Sequence, residues 1–262
     1  MSNDYLMESS CEVDRLEKKT DAAFSFDNLV RAGLRAGMVA LDVGCGSGAV
    51  TRTIAEITGC DAFGVDRSED RIDAATKLAR ELVAPVRFLA SEGHQMPWRE
   101  PIFDFTWSRF LFEYLSEPKD VLSEMIRVTK PGGIVAVADL DAQMTQFFPK
   151  PDHLKNILDH GLQLLAKQGF DPDIGRKLFS MFRELRLGRV RSVAIPYQTY
   201  CGGLPEPALE NWAQKLATSS TLLKRLDPSV DWDQFSDGLM AHLRSPDVFY
   251  YSTLILTTGV KM

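Results

Sequence analysis

The sequence lacks the cysteine and histidine patterns of metal-binding and redox proteins. No CxxC pair occurs among its four cysteines, which argues against a zinc ribbon or a redox dithiol. His153 and His160 stand seven residues apart, which is not a zinc-ligand spacing, so we predict no metal site. Widely spaced free cysteines are typical of a reducing compartment. The cysteines are Cys11, Cys45, Cys60 and Cys201.

Long hydrophobic runs and a leader-like start are also missing. The first ten residues, MSNDYLMESS, have neither a basic n-region nor an apolar h-region, so we expect no signal peptide. The longest apolar run, VFYYSTLIL at 248–256, is interrupted by Ser252 and Thr253 and is too short to span a bilayer. We therefore expect no membrane span and a cytoplasmic protein.

Positive charge is not in excess. The formal net charge is −6 at pH 7, and the basic residues are scattered along the 262-residue chain. An acidic surface repels a phosphate backbone, so we expect no nucleic-acid partner. A chain of this length that is 45% hydrophobic can bury a sizeable core without disulfides.

Strand-like apolar runs alternate with amphipathic helical patterns between residues 38 and 141. This alternation with short connections predicts an α/β fold with a doubly wound, mostly parallel sheet. Two more strands are predicted at 190–200 and 248–260, which makes the sheet seven-stranded. The first five strands are predicted at 38–43, 61–66, 85–91, 102–108 and 133–140.

Two helical patterns, at 151–169 and 173–188, interrupt the alternation after the fifth strand. We predict that they form a helical cap inserted over the sheet. The alternative is that they pack wholly on the sheet or form a homodimer interface. The predicted organisation is an N-terminal helical segment, an α/β core, the cap, and C-terminal strands and helices that complete the sheet, at 1–37, 38–141, 142–188 and 189–262.

A glycine-rich loop follows the first predicted strand in the segment LDVGCGSGAV, residues 41–50. Ligands of doubly wound sheets bind beyond the carboxyl ends of the strands. Gly44, Gly46 and Ala49 satisfy the dinucleotide pattern GxGxxA, with Asp66 about 20 residues further on. The same loop also satisfies a second pattern, acid-x-G-x-G-x-G, which begins at Asp42 and is expected for S-adenosylmethionine (SAM).

The acid before the loop favours the SAM interpretation. Dinucleotide phosphates need a helix N-terminus and backbone N–H groups but no acid at the strand end. SAM has no phosphate, and its ammonium and sulfonium are both positive, which suits Asp42. In addition, no tyrosine has a lysine four places later, so the tyrosine–lysine pair of one dehydrogenase class is missing.

Residues 38–141 resemble the class I SAM-dependent methyltransferases. The segments that carry the resemblance, in order, are ALDVGCGSG, GVDRSEDRI, FLASEGHQMPW, FDFTWSRFLFEYLSEP and RVTKPGGIVAVAD. The later segments DPDIGRKL and SPDVFYYSTLILTTGVK are similar to a bacterial subgroup that acts on small molecules. The resemblance implies SAM as methyl donor, S-adenosylhomocysteine as product and a small-molecule acceptor.

The resemblance also implies a set of cofactor-binding residues. Asp66 would hold the ribose hydroxyls, and Glu92 would stand near the adenine amine. Glu92 replaces the usual Asp of this motif and Trp98 the usual Phe, which could alter how the adenine edge is held. The full set is Asp42, Gly44, Cys45, Gly46, Gly48, Asp66, Arg67, Glu92, Gly93, Ser108 and Arg109.

The catalytic and acceptor-binding residues are less defined by pattern. A neutral oxygen or nitrogen nucleophile can need a base, for which the candidates are His94, Glu113, Asp141 and Tyr200. Because the strand ends are used for the cofactor, we expect the acceptor to contact the cap and the N-terminal segment. The acceptor candidates are Tyr5, Phe147, Phe148 and Met181.

Two other functions remain open at this point. One is a nucleotide-dependent oxidoreductase of Rossmann type. The other is a non-catalytic SAM-binding regulator, because the motifs predict binding rather than turnover.

Overall fold

The computed structural model describes residues 12–59, 61–80 and 85–262. The strands in these residues are β1 Ala40–Val43, β2 Ala62–Asp66, β3 Val86–Ala90, β4 Phe103–Arg109, β5 Thr129–Asp141, β6 Phe147–Phe148, β7 Gly188–Cys201 and β8 Phe249–Val260. The helices are α1 Glu12–Lys19, α2 Ala22–Ala32, α3 Ala49–Thr58, α4 Glu69–Leu78, α5 Pro118–Val128, α6 Asp152–Ala166, α7 Ile174–Glu184, α8 Glu206–Leu226 and α9 Trp232–Leu243. A 3₁₀ turn spans Phe112–Tyr114.

The strands form one sheet, with the order β3-β2-β1-β4-β5-β8 along its main path. Strands β1 to β5 are parallel, whereas β8 lies between β5 and β7 and is antiparallel to both. The two-residue β6 pairs with β8 on the same side as β5, with Phe147 opposite Tyr250. It therefore continues the line of β5 along β8 after a short loop. The predicted doubly wound, mostly parallel sheet is confirmed, with β6 as an eighth strand.

Helices cover both faces of the sheet. Helices α2 and α3 share one core with the sheet, and α5 and α7 share another. Helix α7 approaches the sheet closely at Gly175, which has no side chain. A Cβ at this position would lie 2.8 Å from the carbonyl oxygen of Leu140. Burial on both faces explains why β1 and β2 form short, largely apolar runs rather than alternating sequences.

The two helices expected to form a cap have different neighbours. Helix α6 packs with α8 and α9 around a third core, and we call these three helices the helical lobe. Helix α7 instead packs on β5 and β8, because its apolar face, with Leu178 and Phe182, meets the sheet. The cap prediction therefore does not hold for α7, and the alternative that it packs on the sheet is the correct one.

Within the described ranges, no helix is both long and apolar enough to cross a membrane.

Candidate active site

A cleft of about 1370 Å³ lies at the carboxyl ends of β1, β2 and β4, where doubly wound sheets bind their ligands. Its strand half is formed by the strand ends and the loops that follow them. Its helical half is formed by α1, the 3₁₀ turn, the end of α6, and α8. The lining of the helical half includes Leu16, Glu113, Leu165, Phe170, Thr218 and Leu222.

The glycine loop brings backbone to the surface of the strand half. Gly44, Gly46 and Gly48 all have positive φ angles, of 74°, 55° and 78°, which side-chain-bearing residues rarely adopt. Gly44 and Gly46 line the cleft. A Cβ on Gly46 would lie 2.8 Å from the nearest carbon of Leu16, so α1 rests directly on this loop.

Asp66, at the end of β2, ties that strand to the glycine loop. Its Oδ2 accepts a hydrogen bond from the Gly46 N–H at 2.9 Å. Its Oδ1 accepts from the Ser68 N–H at 3.0 Å and from Arg71 Nε at 3.1 Å. A carboxylate has about four acceptor sites, so Oδ2 is the oxygen that retains capacity for a ligand hydroxyl. The sequence analysis missed Arg71, although RSEDRI places an arginine one helical turn after the N-cap Ser68.

Asp42 near the end of β1 and Arg109 at the end of β4 are neighbouring groups of opposite charge. Burial raises the pKa of Asp42 to about 6, against the lowering effects of the Thr51 hydrogen bond and the nearby Arg109. Thr51 Oγ1 donates that bond to Asp42 Oδ2 at 2.8 Å. Arg109 donates to Ser25 Oγ of α2 at 2.9 Å, and burial lowers the pKa of its guanidinium. The strand half thus offers one acidic and one cationic group.

Glu113, in the 3₁₀ turn after β4, brings a carboxylate into the helical half. It lines the cleft and is only 1% exposed. Gln143, in the amide orientation that satisfies both of its neighbours, donates to Glu113 Oε2 at 2.6 Å and accepts from Lys215 Nζ at 2.8 Å. Burial lowers the pKa of Lys215, and the Glu113 carboxylate offsets part of that effect.

Asp139 holds this turn from below. Its Oδ2 accepts hydrogen bonds from the N–H groups of Phe112 at 2.8 Å and Glu113 at 3.3 Å. Burial raises the pKa of Asp139 well above its usual range, and the Glu113 charge raises it further. The turn that carries Glu113 is therefore fixed at its backbone as well as at its side chain.

The structure brings two of the four candidate bases to the cleft. Glu113 and the exposed His94 line it. Asp141 does not, because Arg176 binds it with Nε 2.6 Å from Oδ1. Tyr200 stacks on Tyr250 beside the core of the helical lobe and also lies outside the cleft lining.

Nine of the eleven predicted cofactor residues line the cleft, and two do not. Ser108 is fully buried and donates to the carbonyl oxygen of Val43 at 2.9 Å, so it joins two strands. Gly48 allows close packing instead, because a Cβ there would lie 2.5 Å from the Phe88 ring. The nine are Asp42, Gly44, Cys45, Gly46, Asp66, Arg67, Glu92, Gly93 and Arg109.

The predicted acceptor residues are not brought together. Met181 lies in the core between α7 and the sheet, and Phe147 packs in the helical lobe beside His242. Phe148 is 73% exposed and does not line the cleft. Tyr5 lies outside the described residues. Helix α8 lines the helical half instead. The sequence has a helical pattern there but does not show which other elements the helix contacts.

Comparisons with known proteins find methyltransferases. The family described as Methyltransferase domain matches residues 41–137. The sterol 24-C-methyltransferase of Schizosaccharomyces pombe is 32% identical over 109 residues, which are 41% of this chain and 29% of that protein. The ubiquinone biosynthesis O-methyltransferase of Methylococcus capsulatus is 32% identical over 113 residues, which are 43% and 47%. The chain thus spans less than half the length of these two relatives.

A solved structure extends the likeness to the fold of the whole chain. It is phosphoethanolamine N-methyltransferase 2 of Haemonchus contortus, in complex with phosphomonomethylethanolamine and S-adenosylhomocysteine. The TM-score is 0.65 at 14% identity, and the match covers 100% of this chain and 61% of the other. The chain therefore contains a methyltransferase domain and has the fold of the class I SAM-dependent methyltransferases.

Proposed function

We propose that the chain transfers a methyl group from SAM to a small-molecule acceptor. The observation that carries this proposal is a single cleft with two unlike halves. The strand half has a glycine cradle and acids at two strand ends, and the helical half has apolar side chains, one buried carboxylate and the buried Arg15 in its lining. Pockets for one drug-sized ligand measure about 300–1,000 Å³, so a cleft of about 1370 Å³ has room for two ligands.

The residues of the strand half fit SAM. Its cationic groups suit the buried carboxylate of Asp42, and its carboxylate suits Arg109. Asp66 Oδ2 would accept from a ribose hydroxyl, and Glu92 would accept from the adenine amine. The positive φ angles of Gly44 and Gly46 bring their backbone to the cleft lining, where a ligand can approach it.

Bound SAM supplies a methyl group that its sulfonium already activates. The remaining task for the chain is to align the acceptor with that methyl group and to exclude water. Helix α1 contributes to exclusion, because Leu16 covers the glycine loop and Glu17 binds Arg52 at 2.7 Å.

The acceptor class is supported by charge and by the relatives. The net charge of −6 disfavours nucleic acid as acceptor. The relatives are named for a sterol and for ubiquinone biosynthesis, which supports a small organic acceptor with an apolar body. A cytoplasmic location and a homodimer both stay predictions.

Isothermal titration calorimetry with SAM, S-adenosylhomocysteine and NAD tests the proposal and its two rivals. We expect both SAM and S-adenosylhomocysteine to bind and NAD not to bind. Binding of NAD alone would establish the oxidoreductase alternative. Binding of SAM without release of S-adenosylhomocysteine, across a broad set of acceptors assayed by mass spectrometry, would favour the regulator.

A further inference from the structure

We propose that Glu113 takes the proton of the acceptor, whose nucleophile is therefore a hydroxyl or an amine on an apolar body. This inference rests on the proposed function and deepens it, because it names the class of acceptor and the residue that selects it.

Glu113 lies where the two halves of the cleft meet. The preceding Leu111 faces the glycine loop, since a Cβ on Gly44 would lie 2.8 Å from its δ carbon. Glu113 follows two residues later and lines the cleft. Glu113 thus belongs to the turn that leads from the strand end assigned to the cofactor into the helical half of the cleft.

Three side chains hold this carboxylate in one orientation. Asp139 fixes the backbone of the turn. Gln143 donates a hydrogen bond to Glu113 Oε2. Lys215 donates to the amide oxygen of Gln143, which keeps the amide nitrogen directed at Glu113. Lys215 therefore acts as a positioning residue through Gln143. A catalytic group must be held closely to be effective, and a carboxylate on the cleft surface is a general base of ordinary kind.

The other candidate in the cleft is less well placed. His94 is exposed and lies in the loop after β3, next to Gly93 and Glu92, which we assign to the adenine end of the cofactor. A base must lie within hydrogen-bond reach of the proton that it removes. The adenine end is remote from the methyl group within SAM itself, which leaves Glu113.

The chemical step balances without any further reactant. The acceptor oxygen or nitrogen forms a bond to the donor methyl carbon. The bond between that carbon and sulfur breaks, and its electron pair stays on sulfur. The proton of the acceptor passes to Glu113, which becomes neutral and later releases it to solvent.

The walls beside Glu113 favour an apolar acceptor body. Leu165 and Phe170 at the end of α6 and Leu222 of α8 line the helical half and belong to or pack on the core of the helical lobe. A hexyl chain attached to a phenol has both required parts, and 4-hexylanisole is the same molecule with the hydroxyl proton replaced by methyl.

The binding experiment compares 4-hexylphenol with 4-hexylanisole by calorimetry on the full chain saturated with S-adenosylhomocysteine. We expect the phenol to bind at least about tenfold more tightly, because a hydrogen bond to a charged group is strong. Glu113→Leu should remove this preference. Equal affinity of the wild-type protein for both probes would overturn the inference.

The turnover experiment measures S-adenosylhomocysteine formed from SAM with 4-hexylphenol or hexylamine. Glu113→Gln keeps the shape of the side chain but cannot take a proton, so we expect a loss of about 100-fold or more in kcat with unchanged SAM affinity. The matched control is Glu100→Gln, a change at an exposed carboxylate outside the cleft lining, which should leave kcat unchanged. Full activity of Glu113→Gln would overturn the inference.

A third variant separates positioning from folding. Lys215→Met removes the ammonium that orients Gln143 and leaves Glu113 in place. We expect the acid limb of the kcat profile to move to higher pH, because a carboxylate that loses a nearby cation is protonated more readily. An unmoved acid limb would contradict the role of Lys215. If the wild-type chain did not bind SAM, the proposed function itself would be wrong. The comparison of the two probes uses the complex with S-adenosylhomocysteine, so it tests the role of Glu113 separately.

Discussion

The strand half and the helical half of the cleft are built in different ways. The strand half takes its groups from consecutive strand ends between Asp42 and Arg109, and short hydrogen bonds join them. The helical half takes its groups from α1, the 3₁₀ turn, α6 and α8, so residues about 100 positions or more apart meet there, as Glu113 and Lys215 do through Gln143. A parallel sheet brings its strand ends together by topology alone, whereas the helices meet only through their side-chain packing.

The largest effect expected in this comparison is at the glycine loop. Gly46→Val places a branched side chain at a φ of 55° and disturbs the N–H that binds Asp66. The protein should fold, because the nearest obstacle is the end of the flexible Leu16 side chain. SAM binding should fall by about 1000-fold or more, since both the cradle and the Asp66 carboxylate move. Calorimetry with SAM measures the loss.

Gly37→Val is the matched control for that variant. Gly37 also has a positive φ, of 83°, but a Cβ there would meet nothing within 4 Å. It should therefore lose a similar amount of backbone stability and keep its SAM affinity. If Gly46→Val bound SAM as well as Gly37→Val does, the glycine loop would be only a turn.

A smaller loss is expected at the end of β2. Asp66→Ala removes a hydrogen-bond acceptor for the ribose, and such bonds to a charged group are worth about 1.5–3 kcal/mol. Because Asp66 also binds Gly46, we expect roughly a 100-fold loss of SAM affinity. The free energy of unfolding should drop as well, by about 3–5 kcal/mol, since the buried ion pair between Asp66 and Arg71 is broken.

Ser68→Ala separates these two effects. Ser68 Oγ accepts from the Arg71 N–H and caps α4, so its loss should lower stability by about 1 kcal/mol. SAM affinity should not change. A Ser68→Ala variant that lost affinity in parallel with Asp66→Ala would place the effect in α4 rather than in a ligand contact.

In the helical half the expected effect is on the acceptor alone. Leu222→Ala removes apolar surface from the wall formed by α8, which should weaken 4-hexylphenol by about tenfold, or about 1.4 kcal/mol. SAM affinity should stay the same. Leu226→Ala, one turn further along α8 at an exposed position, should change neither. Parallel losses for both ligands at Leu222 would mean that the two halves do not bind separately.

The smallest effect expected is a pH dependence that belongs to the strand half. Since burial raises the pKa of Asp42 to about 6, a cationic ligand that prefers the ionised carboxylate should bind better as the pH rises through 6. Between about pH 5.5 and 7.5 the SAM affinity should rise about fourfold and then level off. Asp42→Asn should remove this rise, and a persistent rise in that variant would assign it to another group.

The same pKa shift has the opposite sign for folding. The folded pKa of Asp42 lies above its usual value of 3.8, so the protonated form is favoured in the folded protein. Its contribution to stability is fully present below pH 3.8 and is lost as the pH rises through 6. At about 1.4 kcal/mol per pKa unit, the loss is about 3 kcal/mol. Urea unfolding of the wild type and Asp42→Asn at both ends of this range measures it.

The sequence predicted the strand half well because strand ends are visible in the alternation of strands and helices. Asp42, Asp66 and Arg109 stand directly at such ends, and the structure brings them to one cleft. The pattern failed for Ser108 because Thr106 and Trp107 just before it are also fully buried, so nothing in the sequence shows which way that hydroxyl points. The pattern failed for Gly48 because the sequence does not distinguish a glycine required for packing against Phe88 from a glycine required for ligand binding.

The helical half could be predicted only as a set of helices. The spacing of apolar residues marks α6, α7 and α8 as amphipathic, but an amphipathic face does not name its partner. Nothing in the sequence distinguishes Met181 from Leu222 as an acceptor contact. The structure separates them, because α7 packs on the sheet whereas α8 lies beside the cleft.

The separate core of the helical lobe bears on how such a protein can change over generations. The lobe packs around Leu158, Trp212 and Trp232 and shares none of its buried residues with the two cores of the sheet. Substitutions that reshape the wall at α8 therefore draw on the stability of the lobe and leave the packing under the glycine loop intact. Under the proposed function, mutations in α6 and α8 would change the acceptor that is bound while the donor site stays unchanged.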